Sequence, residues 1–400
     1  MKRRRFLKLT AAGGFWLSAG TWLSLTKTAR ARAVGGYAPK TKNSRAVHKN
    51  AIVIDGAVPL LAGTFNPTHI DWWIEGGATA ISVTVGGANL GPDKTAKVIA
   101  WVAEQIETRP ELMLCRTGND IRTAKREGKL GMFYHFQGPS PLGIDLDLIW
   151  FYKQAGVGVM QVAYNTRNPL ANGATERVDA GLSTLGIELV KACNSARMIV
   201  DVSHTSARSQ LDAIEASSEP VIISHGNAYG KIDNPRNVSD EVLKAIAAKG
   251  GSAGAVGYPA FVSKNKRPSM DDMVGMIDYM VELMGIDHVT CGIDYDATTN
   301  GVMPAEKVEA QYNALVASGA WDPSAYPAPP YYYPEGIELP NTLFNLTDAL
   351  LARGYTEEDI GKIWGGNWLR VMDIVWGDPE AQLIDDDEDT PDAAPHVHKH

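Results

Sequence analysis

Apolar and polar residues fall in blocks along most of the chain, not in single alternation. Eight short runs of β-branched and apolar residues, at 51–55, 78–85, 130–137, 158–164, 198–204, 220–225, 251–258 and 288–294, predict strands. Continuous apolar runs suit parallel strands covered on both faces. Helix-length segments stand between most of them, most clearly at 95–107, 185–195, 207–217, 239–248, 270–284 and 356–375. The methionine-rich stripe of 270–284 is the core face of such a helix. This order predicts an α/β fold, a (β/α)8 TIM barrel, with a doubly wound sheet as the alternative. Residues 317–340, with Trp321, several tyrosines and prolines, read as a long loop that caps the mouth or forms a subunit contact.

Two runs stand out. Met198-Ile-Val-Asp-Val-Ser-His204 and Pro220-Val-Ile-Ile-Ser-His225 both end in Ser-His, with a helical segment between them. The unit is β-α-β, and a right-handed crossover sets both histidines at one end of a parallel sheet. That end is where α/β folds place their chemistry. Two readings fit a repeated Ser-His: each imidazole closes a strand with a hydrogen bond, or the pair shares a metal. In a barrel the tips Asp55, Gln137, Tyr164, His204, His225, Tyr258 and Asp294 converge into one set of candidates.

Composition narrows the function classes. With 400 residues, 44% hydrophobic and 21% charged, the chain has ample core for one large domain. A net charge of −8 argues against nucleic acid as a partner. Residues 1–33 read as a twin-arginine export signal: Arg3-Arg4-x-Phe6-Leu7-Lys8, an apolar stretch broken by glycines, and an Ala-x-Ala site ending at Ala33. The expected location is the periplasm, with no stable membrane span once the signal is cleaved. Residues 34–49 read as a flexible leader, 50–378 as the barrel, and 379–400 as an acidic, His-bearing disordered tail. Cys115, Cys193 and Cys291 are odd in number and widely spaced, so they read as buried thiols.

Several motifs together resemble the membrane dipeptidase (renal dipeptidase) family. They are Gly181-Leu-Ser-Thr-Leu-Gly186, Val200-Asp-Val-Ser-His204, Pro220-Val-Ile-Ile-Ser-His225, Asn234-Pro-Arg-Asn-Val238, Gly285-Ile-Asp-His-Val289, Gly292-Ile-Asp-Tyr-Asp296 and Gly365-Gly-Asn-Trp-Leu-Arg370. The resemblance implies a metal-dependent (β/α)8 barrel with two zinc ions, and often a homodimer. It maps two ligands of the second zinc onto His204 and His225, the substrate-carboxylate arginine onto Arg236, and an aspartate near the substrate amine onto Asp294. A histidine near the scissile carbonyl maps onto Tyr164, which retains a donor.

The other half of that site departs from the pattern. The family's His and Asp on the first strand fall at Ala57 and Pro59, and its bridging glutamate falls at Gln137, a poor zinc ligand. His69-Ile-Asp71 offers a substitute spacing, but it begins a helical segment ahead of the second strand. One zinc at most is therefore expected, on His204, His225 and Gln137. Three functions follow from the resemblance and its gaps: an exported metallohydrolase of dipeptides or related small amides with a free carboxylate, a binding or accessory protein that keeps the pocket without hydrolysis, and an enzyme that uses the imidazole pair as acid and base without metal.

Overall fold

The computed structural model describes residues 40–88 and 90–377. The export segment 1–33 and the acidic tail 379–400 lie outside the described residues. Among the described residues there are nine strands: β1 Ile54–Val58, β2 Ala80–Gly87, β3 Leu112–Leu114, β4 Leu130–Gln137, β5 Val157–Gln161, β6 Ile199–Asp201, β7 Val221–Ile223, β8 Ser252–Ala255 and β9 Val289–Cys291. All pair in parallel, in the order β1-β2-β4-β5-β6-β7-β8-β9, and β3 is appended beside β4. The eight expected strands are therefore the barrel staves, and the doubly wound alternative is excluded. The three residues of β3 escaped the sequence pattern because the run is too short to show a period.

The first and last staves meet through Asp55. Its Oδ1 accepts the Ile293 amide at 2.9 Å and its Oδ2 accepts Trp73 Nε1 at 2.9 Å, while the Asp294 amide donates to the Ala57 carbonyl at 3.2 Å. Asp55 was a candidate for the site by its position at a strand tip; the structure spends Oδ1 on closure and Oδ2 on Trp73 of the helix Thr68–Glu75. Ile54, Ala80, Phe133, Val159, Ile199 and Ile222, from six staves, form their own cluster with Trp368 of the helix Asn367–Val375 and Trp376 just after it. That cluster fills the lower barrel and leaves the C-terminal mouth for polar groups.

Two boundaries differ from expectation. Residues 44–50, expected within a flexible leader, form the helix Ser44–Asn50, because Val47 and His48 bury against the barrel. The segment 356–375 is not one regular helix. Thr356 caps Glu357–Gly361, a π turn follows at Lys362–Gly366, and Asn367–Val375 completes it. Gly365 lies so close to the Ile52 carbonyl that a Cβ there would sit 2.3 Å from the oxygen, so the helix deforms to pack against the chain ahead of β1.

Candidate active site

Strand pairing stops before the functional side chains. β6 ends at Asp201 and β9 at Cys291, so His204, His225, Tyr164, Tyr258 and Asp294 stand on the turns just beyond. Gln137 alone ends its strand. His204 and Asp294 have φ of +59° and +63°, and Asn165 has +58°, a left-handed backbone that costs a non-glycine residue about 1–3 kcal/mol. Three such residues at one mouth are held there by the contacts described next.

The imidazoles meet directly, with His204 Nε2 2.8 Å from His225 Nε2. Asp201 ties both Ser-His tips together. Its Oδ1 accepts from the Ser203 amide at 2.9 Å, Ser203 Oγ at 2.7 Å and the Ser224 amide at 3.0 Å. Its Oδ2 accepts from Ser224 Oγ at 2.6 Å and His135 Nε2 at 3.0 Å. Burial alone raises a carboxyl, but here the His135 hydrogen bond and charge, with Ser224, outweigh it and hold Asp201 well below its usual range. Gly254 and Gly292 permit this convergence, since a Cβ on either would stand 2.1 Å from the Ser224 carbonyl oxygen.

Arg236 is set by Asn234, whose Oδ1 accepts the Arg236 amide at 2.9 Å. Its Nε donates to His204 Nδ1 at 2.9 Å, its Nη2 donates to the His225 carbonyl at 3.2 Å, and its guanidinium lies over Phe261. It is 2% exposed, and among the described residues no carboxylate forms an ion pair with it. Burial, and then the Arg236 charge, push both His204 and His225 well below the usual imidazole range, so both rings are neutral. Burial, and then Asp296, push Asp294 well above the usual carboxylate range. Tyr164 stacks on His204 with ring centroids 4.0 Å apart, and burial keeps its phenol protonated.

The loop at 317–340 lies over the mouth. Trp321 Nε1 donates to Tyr164 Oη at 3.2 Å, Tyr326 Oη donates to Asn165 Oδ1 at 3.2 Å, and Tyr333 Oη donates to the Asp294 carbonyl. Trp321 and Tyr326 stack at 4.5 Å, and Tyr258 packs among Trp321, Tyr326 and Tyr331. Of the two roles expected for this loop, the mouth cap is the one seen. Tyr258, a strand-tip candidate, belongs to that aromatic cap.

The donor set decides whether the metal that the resemblance implies can be held here. Ala57 and Pro59 bring no side-chain lone pair, and among the described residues no three His, Cys, Asp or Glu side chains converge as a metal group. The 2.8 Å between the two Nε2 atoms is shorter than the roughly 3.3 Å that Zn–N bonds of about 2.0–2.1 Å at a tetrahedral angle require. It suits a shared proton. Gln137 Nε2 is buried without a hydrogen-bond partner, although the Gln137 amide lies near enough to Asp294 to favour its carboxylate. His69 and Asp71 do not supply the missing pair: the His69 ring packs on Trp72, and Asp71 accepts from Arg109 at 2.5 Å. The residues present do not fit the two-ion centre, and two imidazoles fall one protein ligand short of the usual catalytic zinc.

The profile of the membrane dipeptidase family (peptidase family M19) matches residues 82–320 and 329–378. The chain belongs to the membrane dipeptidase family. Among relatives, an uncharacterized protein in the pqqA 5′ region of Klebsiella pneumoniae is 29% identical over 276 residues, covering 66% of this chain and 89% of that protein. An uncharacterized dipeptidase of Schizosaccharomyces pombe is 30% identical over 240 residues, 56% of this chain and 57% of the relative. The match spans little more than half of that dipeptidase. A solved amidohydrolase from Pseudomonas aeruginosa superimposes with a TM-score of 0.75 at 31% identity, covering 84% of this chain and 99% of that one. A metallo peptidase from Rhodobacter sphaeroides, solved with a phosphinate mimic of the dipeptide L-Ala-D-Ala, has a TM-score of 0.66 at 18% identity over 82% of this chain and 100% of that one, a likeness that shows the barrel fold alone.

In this family member the sequence located Gln137, Tyr164, His204, His225, Arg236 and Asp294 at the mouth, and four of them touch one another or stack: Tyr164, His204, His225 and Arg236. Sequence reasoning missed Asn165, Asp201, His135 and Tyr326. Asp201 and His135 did carry a signal, since each interrupts an apolar strand with a group that burial tolerates only when partnered.

Proposed function

We propose that this chain is an exported, dipeptidase-like hydrolase of small amides with a free carboxylate, and that the imidazole pair together with Asp294, not a bridged pair of metal ions, performs its proton transfers. The observation that carries this reading is the His204–His225 pair, joined at 2.8 Å and held between Arg236 and Asp201 in a family of hydrolases. The finer expectation of one zinc on His204, His225 and Gln137 is set aside because Gln137 offers only a neutral amide as third ligand. Export is supported by the twin-arginine pattern at Arg3 and Arg4.

Arg236, a buried cation without a carboxylate partner among the described residues, takes the substrate carboxylate in a planar fork. Tyr164 accepts from Trp321, so its own proton is free to donate to the amide carbonyl as negative charge develops there. His225 Nε2, which accepts the His204 Nε2–H in the ligand-free site, takes a proton from the attacking water once substrate and water displace that contact, as the water oxygen bonds to the carbonyl carbon. Asp294, kept protonated by burial, gives its proton to the nitrogen as the C–N bond breaks.

A second reading, a periplasmic binding protein, is favoured by Ala57, Pro59 and Gln137 standing where the family's metal ligands are expected. One experiment separates the two. The purified mature chain is given a dipeptide panel with and without a chelator, and free amino acids and heat of binding are both recorded. Chelator-resistant release with a raised KM in Arg236→Lys supports the hydrolase. Binding without release supports the second reading, and neither removes both.

A further inference from the structure

The hydrogen bonds at the mouth have a direction. Ionised Asp201 only accepts, so Ser224 Oγ spends its single proton on Oδ2 at 2.6 Å. Ser203 Oγ likewise spends its proton on Oδ1 at 2.7 Å. Ser224 Oγ is also 2.7 Å from His225 Nδ1. With the serine proton committed, that contact exists only if His225 Nδ1 carries the hydrogen and donates. His225 is thereby fixed as the Nδ1–H tautomer, and its Nε2 lone pair faces the mouth and His204.

At the other end Arg236 Nε can only donate, and it points at His204 Nδ1. His204 Nδ1 also lies 2.7 Å from Asn165 Oδ1, which accepts, so this ring nitrogen satisfies one neighbour or the other. With Arg236 as partner, the bonds run without reversal from Arg236 through His204, His225 and Ser224 to Asp201. The repeated Ser-His has its explanation here: both serines, one residue ahead of each imidazole, are clamped by the same carboxylate.

We propose that Asp201 is the positioning residue of this site, acting through Ser224 to fix the tautomer of His225 and so to present Nε2 as the proton acceptor. The assignment of a task to that lone pair rests on the hydrolase reading; the tautomer itself does not. A carboxylate behind an imidazole sets which nitrogen holds the proton, and here a serine hydroxyl is inserted between the two.

The test is nitrogen NMR of the ligand-free mature protein labelled in histidine, with His225 assigned by comparison with His225→Gln. In the wild type the expected protonated nitrogen of His225 is Nδ1. Asp201→Asn sets an amide donor opposite Ser224 Oγ, so the serine proton reverses toward the imidazole and His225 exchanges to Nε2–H. Ser224→Ala removes the link and loses the Nδ1 preference, and Ser224→Thr restores it. Ser203→Ala, which loosens the same carboxylate without touching the imidazole, leaves the tautomer unchanged. In the hydrolysis assay kcat falls in Ser224→Ala, at most by the roughly 10²–10⁴-fold that a positioned general base contributes, and recovers in Ser224→Thr, with KM held by Arg236. A wild-type His225 protonated at Nε2 overturns the proposal with no variant needed, as does a Ser224→Ala protein that keeps Nδ1–H. If the tautomers behave as stated and no dipeptide is cleaved, the hydrolase reading fails and the positioning role of Asp201 stands.

Discussion

Replacing Arg236 by Met separates recognition from stability, because the structure gives that side chain almost no structural compensation for its charge. The guanidinium is 2% exposed and its partners are neutral: it donates to His204 Nδ1 and the His225 carbonyl and hydrogen-bonds Tyr326. Removing it orphans two acceptors, at about 1–3 kcal/mol each. It also removes the desolvation of an unpaired buried charge, which costs several kcal/mol. The two terms oppose, so the net change in stability is expected within about 2 kcal/mol, or a shift in Tm of roughly 4–8 °C at most. Binding behaves differently. A charge-assisted bond to a carboxylate contributes about 1.5–3 kcal/mol, so Arg236→Met weakens glycylglycine by roughly 10- to 150-fold. Glycylglycinamide, with no carboxylate, binds wild type and variant alike. Calorimetry with the two ligands and a thermal melt of each protein are the assays. Equal loss for both ligands, or a melt tens of degrees lower, would refute the view that Arg236 is a carboxylate receptor waiting for its anion.

Other consequences follow from the same contacts. Trp321→Phe loses the hydrogen bond to Tyr164 and is expected to speed ligand release, read by stopped-flow fluorescence; an unchanged rate would remove the loop at 317–340 from the path of entry. His48 is held to about 4, chiefly by burial, between Thr347 and the Gly76 carbonyl. Its folded pKa lies below the unfolded 6.5, so the unfolded chain binds more protons and stability falls as pH drops from about 6.5 toward 4. Asp55, raised to about 6 by burial, works in the opposite sense between about 4 and 6, but the neutral His204 and His225 remain, so His48→Gln should make the acid side of a Tm-against-pH curve shallower without inverting it. Burial lifts Cys115 and Cys193 to about 12, and Cys291 is buried and raised as well. All three thiols should resist a disulfide reagent in the native protein and react after denaturation; fast reaction of any one would contradict its burial.

The staves were legible because a strand buried on both faces must be apolar throughout, and the barrel followed from their alternation with helices. The ends of those strands were not legible. Val202 is apolar and buried, so the sequence runs on as strand past Asp201, while the backbone turns left-handed at His204 to deliver the imidazole. Partners distant along the chain stayed hidden for a related reason. Nothing local to Asn165 or Tyr326 says that the two will meet, and only the folded loop over the mouth brings them together. Asp55 shows the reverse error, where a strand-tip carboxylate read as chemistry serves to join the first stave to the last.

The central claim, that the imidazole pair serves this pocket without the family's ions, is tested most directly by metal content. Elemental analysis of the purified mature chain after equilibration with zinc, beside His204→Ala/His225→Ala, is expected to show no stoichiometric metal that the double variant loses. One or two zinc ions per chain, absent from the variant, would contradict the account and return the site to metal-assisted hydrolysis.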